Sequence, residues 1–123
     1  MSNIPRIHDL ADWERVLARS RSEGILVFKH STACPTSAAA LAELERFLGE
    51  SAGEAPGAVL VRVIEERPVS KEIERRLGVR HESPQAIWLE GSAARGVISH
   101  EAITAETLRD GRWRDSLRAS PTK

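Results

Sequence analysis

The cysteine Cys34 is the residue of this chain whose type and position best suit covalent chemistry. It is the only cysteine in the sequence, and it follows the apolar run Ile25-Leu26-Val27-Phe28 and directly precedes Pro35. Proline suits the first turn of a helix, because its missing N–H would have no intrahelical partner there. The pattern therefore predicts a strand, a short turn, and a helix that begins at Cys34 and Pro35.

A cysteine at the start of a helix is a candidate nucleophile. The unpaired backbone N–H groups and the positive end of the helix macrodipole stabilise a thiolate, which is the form of cysteine that attacks disulfides. A lone cysteine is also often a small buried apolar residue, and its position alone does not decide between the two interpretations. With one cysteine, the chain can form a disulfide only with another molecule.

The elements that must position Cys34 are predicted from hydrophobic periodicity and from capping residues. Helices are expected at about 9–22, 35–48 and 68–78, and a last helix is expected from Thr104 through Leu108 toward Leu117. Strands are expected at 25–28, 59–64, 86–89 and 95–99, where short runs are apolar or β-branched.

The order of these elements, α-β-α-β-α-β-β-α, predicts an α/β fold. Two strands joined by a crossover helix should pair in parallel, and the last two should form an antiparallel hairpin. The result is a four-stranded mixed sheet with helices on both faces, the layout of the thioredoxin-like fold. Residues 1–123 are expected to form a single domain, with about 119–123 frayed.

Composition narrows the classes of function. The 18 basic and 18 acidic residues balance, so neither nucleic acid nor a membrane surface is indicated as a partner. No stretch approaches the roughly 20 apolar residues of a membrane span, and residues 1–7 lack an apolar signal region. These features predict a cytoplasmic protein, and the absence of a Cys/His cluster predicts no bound metal.

A second part of the site is predicted at Ser83 and Pro84, just before the third strand. Only about 5–6% of X–Pro bonds in folded proteins are cis, but the thioredoxin-like fold places a cis proline at this point, facing the reactive cysteine. The backbone N–H and C=O of Ser83 would then pair with a thiol-bearing ligand as an added strand does.

Four segments, in order, resemble the monothiol bacilliredoxins, the YtxJ family of bacillithiol-system proteins. They are Lys-His-Ser-Thr at 29–32 with Cys-Pro-Thr-Ser at 34–37, Glu-Arg-Pro-Val-Ser at 66–70, Gly-Val-Arg-His-Glu-Ser-Pro-Gln at 78–85, and Ser-His at 99–100 with Ile-Thr at 103–104. The run that ends in His-Glu-Ser-Pro-Gln makes the combination specific. The chain departs from the family at Gly96 or Val97 and at Glu101, where members tend to carry tryptophan.

The resemblance implies a thiol-disulfide oxidoreductase that removes bacillithiol, a cysteinyl-glucosaminyl-malate thiol, from protein cysteines. The Cys34 thiolate would attack the bacillithiol sulfur of an S-bacillithiolated client protein and take the bacillithiol onto itself. Bacillithiol is then a co-substrate, and no tightly bound cofactor is expected. Because Ser37 stands where a CxxC motif has its resolving cysteine, a second bacillithiol or an external reductase must finish the cycle.

Supporting roles are predicted for residues around Cys34. The thiolate is expected to be supported by Pro35, Thr36 and Ser37, with a Thr36 or Ser37 hydroxyl donating a hydrogen bond to it. The thiol ligand is expected to contact Lys29, His81, Ser83 and Pro84. Lys29 and His81 would form a cationic rim for the malate carboxylates, or else they are solvated charges at strand ends.

Two other functions are consistent with the residues. An iron–sulfur carrier would use one cysteine from each of two protomers together with an external thiol. The usual Cys-Gly-Phe-Ser of such carriers is absent, and Pro35 and Thr36 stand in its middle positions. A non-catalytic interaction domain would keep the fold but have a Cys34 that reacts no faster than a free cysteine.

Overall fold

The computed structural model describes residues 4–51 and 53–117. The α-helices are α1 (Leu10–Arg19), α2 (Pro35–Glu50), α3 (Arg67–Leu77) and α4 (Ala105–Asp110), and the strands are β1 (Ile25–His30), β2 (Gly57–Arg62), β3 (Gln85–Glu90) and β4 (Ala93–Ser99). Two 3₁₀ turns follow β4 and α4, at His100–Ala102 and Arg112–Asp115. The fraying predicted for residues 119–123 lies outside the described residues.

The strands form one mixed sheet in the order β2-β1-β3-β4. β1 pairs with β2 in parallel, and β3 pairs in antiparallel fashion with both β1 and β4. The predicted element order, the parallel first pair and the hairpin are therefore confirmed, as is the thioredoxin-like α/β fold class. No helix within the described part of the chain is long and apolar enough to cross a membrane.

The two faces of the sheet bury separate hydrophobic clusters, because successive side chains of a strand point to opposite faces. Ile25 and Val27 of β1 pack into the cluster that includes residues of α1 and α3. Leu26 and Phe28 pack into the cluster that includes residues of α2 and α4. By the same alternation, Lys29 is directed toward α3 and His30 toward α2.

Predicted and observed boundaries differ most at the last helix. The helix predicted to run toward Leu117 ends at Asp110, because Gly111 adopts the left-handed conformation with a φ of 82°. The chain continues as a 3₁₀ turn in which Trp113 is buried and packs edge-on against Trp88.

Smaller differences concern α1 and β2. α1 ends at Arg19 rather than near residue 22. β2 begins at Gly57 and ends at Arg62, two residues earlier than predicted at each end, because its register is set by pairing with Ile25–His30 of β1. Sheet pairing thus overrides the β propensity of residues 63 and 64.

Candidate functional site

Cys34 is the N-cap residue of α2, with φ −120° and ψ 120°. Its backbone N–H donates to the Ser31 carbonyl at 3.3 Å, and its carbonyl accepts from the Ala38 N–H at 3.0 Å. The side chain is a free thiol, is partly exposed and makes no capping hydrogen bond. The predicted strand, turn and helix start are confirmed, and Cys34 is partly exposed rather than buried in the core.

The first turn of α2 presents a favourable electrostatic environment to a sulfur anion. Pro35 has no N–H, and the N–H groups of Thr36 and Ser37 have no carbonyl partner within the helix. The helix is 16 residues long, and its first turn contains no acidic residue that would oppose a thiolate. The backbone N–H groups of Thr36 and Ser37 are therefore donors that the helix offers to Cys34, and donation from the Thr36 hydroxyl stays a prediction.

The Ser37 side chain contacts His30 and Ser31. It is fully buried, and its Oγ accepts from the Ser31 N–H at 2.9 Å and lies 2.8 Å from Nδ1 of His30. Burial lowers the pKa of His30, although Glu65 and Glu45 act to raise it, so the neutral imidazole is favoured. The Ser37 hydroxyl thus contacts His30 and the Ser31 N–H, and the expected donation from Ser37 to the Cys34 thiolate stays a prediction.

The Ser83–Pro84 peptide bond is cis, the form predicted from the thioredoxin-like fold. Pro84 is buried and Ser83 is half-buried. Because Lys29 pairs with Gln85 in the sheet, the Ser83–Pro84 segment lies beside the end of β1 that leads to Cys34. The Pro84 carbonyl accepts a hydrogen bond from the N–H of His100 at 2.9 Å.

Lys29 is fully buried, so the alternative that it is a solvated strand-end charge is wrong. Its Nζ donates to the Ser70 carbonyl at 3.2 Å and lies 3.2 Å from Nδ1 of His81. Burial lowers the pKa of Lys29 to about 8, and the nearby Glu74 carboxylate opposes that shift. The structure therefore brings Lys29 and His81 together, with Lys29 buried beneath α3 and His81 exposed beside it.

His81 is held in place from two sides. Its N–H donates to Oε2 of Glu74 at 2.9 Å, and its Nδ1 also lies 3.5 Å from Oγ of Ser70. Burial and then the Lys29 charge lower the pKa of His81, while Glu74 acts in the opposite sense. A neutral imidazole can accept the hydrogen bond that the Lys29 ammonium offers.

Residues 5–108 match the model of the family described as monothiol bacilliredoxin BrxC. The chain belongs to the monothiol bacilliredoxin family. One similar solved structure is of a protein assigned as an oxidoreductase with a thioredoxin fold, with 27% identity and a TM-score of 0.77 over 87% of this chain and 91% of that one.

Two thioredoxins also resemble this bacilliredoxin in structure. That of Fasciola hepatica is 14% identical with a TM-score of 0.71, over 91% of this chain and 99% of that one. That of Malassezia sympodialis is 15% identical with a TM-score of 0.71, over 94% of this chain and 93% of that one. At this identity the thioredoxins show the fold alone. The family match, together with the oxidoreductase of the same fold, makes the chain a monothiol redox protein.

Two contacts of this bacilliredoxin were not predicted from its sequence. The His30–Ser37 pair has no sequence pattern that would reveal it, because the two residues meet only across the turn between β1 and α2. The Thr32 hydroxyl donates to Oε2 of Glu65 at 2.8 Å and joins that turn to the loop after β2. Within residues 4–51 and 53–117, no group of three or more His, Cys, Asp or Glu side chains could hold a metal ion.

The buried ammonium of Lys29 predicts a pH-dependent stability. The folded protein releases the Lys29 proton near pH 8, whereas the unfolded chain holds it up to about the ordinary value of 10.5. Between these values the unfolded state binds more protons, so the free energy of unfolding rises with pH. Relative to Lys29→Met, the wild type should gain about 3 kcal/mol across this interval and nothing below it. Denaturant unfolding from pH 6 to 10.5 measures the difference.

The matched control is Lys71→Met, since Lys71 is an exposed lysine one residue after the carbonyl that Lys29 contacts. Its unfolding free energy should run parallel to that of the wild type over the whole range. Parallel curves for wild type and Lys29→Met would mean that Lys29 titrates alike in both states, contrary to the prediction.

Proposed function

We propose that this bacilliredoxin removes bacillithiol from S-bacillithiolated proteins through a mixed disulfide on Cys34. The observation that carries the proposal is a partly exposed free thiol at the N-terminus of α2, in a chain whose family match spans residues 5–108. The helix terminus favours the thiolate that such exchange requires. Partial exposure lets the sulfur of a protein-bound disulfide reach it.

The exchange leaves the overall oxidation state unchanged. The Cys34 thiolate attacks the bacillithiol sulfur of the client disulfide, a new Cys34–bacillithiol S–S bond forms, and the client leaves as a thiolate that takes up a proton. A second bacillithiol thiolate then attacks the adduct, and oxidised bacillithiol and the free Cys34 thiolate result. An external reductase is the other reductant that we propose for this second step.

The neighbouring residues have separate roles in this proposal. Pro35 has no N–H to donate at the first position of α2. The N–H groups of Thr36 and Ser37 are the donors that stabilise the sulfur anion. The Ser83 backbone, beside the end of β1, pairs with the ligand, and Pro84 packs against the disulfide. Lys29 and His81 act on the acidic part of the ligand. We expect the reaction to take place in the cytoplasm, where protein thiols are kept reduced.

The test is intact-mass measurement after mixing the protein with a bacillithiolated client. Wild type should gain the mass of one bacillithiol while the client loses it. The Cys34→Ser variant should gain none and should leave the client modified, because a serine hydroxyl does not attack a disulfide at neutral pH. Removal of bacillithiol from the client by Cys34→Ser would overturn the mechanism.

A further inference from the structure

A buried positive charge near the site has no negative partner in contact with it. Lys29 Nζ is bonded only to a neutral carbonyl, that of Ser70, and to the His81 ring. Over the ranges that the structure describes, no carboxylate lies within ion-pair distance of this ammonium. A buried ammonium is costly unless it is paired, so the arrangement favours an anion close by.

A cavity of about 230 Å³ opens beside this group. Its wall combines the loop after β2, the first turns of α3 and the segment before β3, and includes Val63, Arg67, Ser70, Lys71, Glu74 and His81. Ser70 and His81 are the same two residues that Lys29 contacts from below. Two residues of the cavity wall are therefore in contact with the lysine ammonium.

The charges around the cavity favour a negatively charged occupant. Two cationic side chains, Arg67 and Lys71, lie in the cavity wall, and the Lys29 ammonium contacts His81 of the same wall. The one acidic side chain in the wall is Glu74. Glu74 is itself engaged by the N–H of His81. Three cations around one engaged carboxylate leave a net positive site for an incoming anion.

The cavity lies at the same end of the sheet as the reactive sulfur. The N–H of Val63, on its wall, donates to the carbonyl of His30 at 2.9 Å. Cys34 follows His30 by four residues and so lies within about 15 Å of it. The sulfur and the cavity thus both lie at the carboxyl end of β1, the placement that a single ligand bridging them requires.

We propose that this cavity binds the carboxylate end of the low-molecular-weight thiol that Cys34 accepts, which for bacillithiol is the malate. The inference rests on the proposed function, since it concerns the other end of the same ligand. Lys29, through Ser70 and His81, and the Arg67 and Lys71 side chains are the groups that hold the carboxylates. The sulfur chemistry stays with Cys34, so the cavity sets which thiol is preferred.

The experiment compares two mixed disulfides of one client protein. One carries bacillithiol, and the other carries cysteinyl-glucosamine, which has the same reacting sulfur and lacks the malate. Stopped-flow measurement gives the rate constant for transfer of each to Cys34. Wild type should prefer the malate-bearing disulfide by about 10- to 100-fold, as expected for charge-assisted hydrogen bonds to carboxylates.

The variants Lys29→Met and Arg67→Gln should lower that preference at least severalfold, measured within each variant as the ratio of the rate constants for the two disulfides. Arg67 is exposed, so its replacement does not disturb the core even where Lys29→Met affects folding. The control is Arg76→Gln, on the same helix and outside the cavity wall. The Arg76→Gln variant should retain the full preference. An equal loss of preference in this variant would show that long-range charge, and not contact within the cavity, causes the preference, and it would overturn the assignment.

The remaining outcomes separate the two proposals. Equal wild-type rates with both disulfides would overturn the carboxylate site and leave Cys34 transfer intact. Failure of Cys34 to accept either group would overturn the proposed function itself.

Discussion

A cysteine placed at position 37 should form an internal disulfide with Cys34 and release the bacillithiol adduct without any added thiol. The two positions are three apart at the start of α2, where helix geometry sets their Cα atoms about 5 Å apart, within the roughly 4.4–6.8 Å that a disulfide spans. The new thiolate of the Ser37→Cys variant would attack Cys34 Sγ, and bacillithiol would leave as the thiolate. Because the step is intramolecular, the adduct lifetime should fall by about 100-fold or more.

His30, which contacts Ser37, should accelerate this release. His30 Nδ1 lies 2.8 Å from the Ser37 hydroxyl, and burial lowers the pKa of His30, which favours the neutral imidazole. In the tautomer whose Nδ1 carries no proton, this ring can take the proton of the new thiol. Adding His30→Gln to Ser37→Cys should therefore slow release by about tenfold or more at neutral pH.

Time-resolved intact mass distinguishes the adduct from the internal disulfide, which is lighter by the whole bacillithiol group. Ala39→Cys is the control, because residue 39 is exposed and lies on another side of the helix from Cys34. Its adduct should persist as long as that of wild type. A Ser37→Cys adduct that also persists would show that position 37 does not face the sulfur of Cys34.

Gly96→Ala should destabilise the protein severely. A Cβ at this position of β4 would lie 2.0 Å from the carbonyl oxygen of Trp113 and 2.7 Å from Cα of Arg114, which are backbone atoms that cannot turn aside. The strand and the 3₁₀ turn would have to separate, and overpacking of this kind costs about 3 kcal/mol. The melting temperature should fall by roughly 10 °C.

Gly49→Ala is the matched control for that experiment. Gly49 lies within α2, and nothing stands within 4 Å of the Cβ that alanine would add. Alanine should stabilise the helix by about 0.5–1 kcal/mol, because glycine loses more backbone entropy on folding. Thermal unfolding followed by circular dichroism reports both variants. A Gly96→Ala protein as stable as wild type would contradict the close packing of the C-terminal turn on β4.

The elements that position the site could be predicted from the sequence. An apolar run followed by Cys34 and Pro35 predicts a strand, a turn and a helix start from local rules alone, and these are confirmed. The element order likewise predicted the mixed sheet, since parallel crossover and hairpin connections leave few topologies. Ser83 and Pro84 could be placed beside β1 because the thioredoxin-like fold fixes which strand follows them.

Contacts across the fold could not be predicted in the same way. Lys29 continues the alternation of Ile25 and Val27, but a strand pattern does not say that α3 covers its end and buries the ammonium. The inward direction of Ser37 depends on the turn geometry that brings His30 and the Ser31 N–H to it. The last helix was predicted too long because tertiary packing of Trp113 competes with helix propensity once Gly111 has turned the chain.

The backbone of Cys34 is held at both of its polar groups, its N–H by Ser31 and its carbonyl by Ala38. The only freedom left to the sulfur is rotation about the Cα–Cβ bond, among three staggered positions. A cysteine tethered in this way loses little motion when it enters the collinear arrangement of three sulfurs that thiol exchange demands. The turnover rate of this enzyme should therefore be limited by binding and release of its partners rather than by the exchange step.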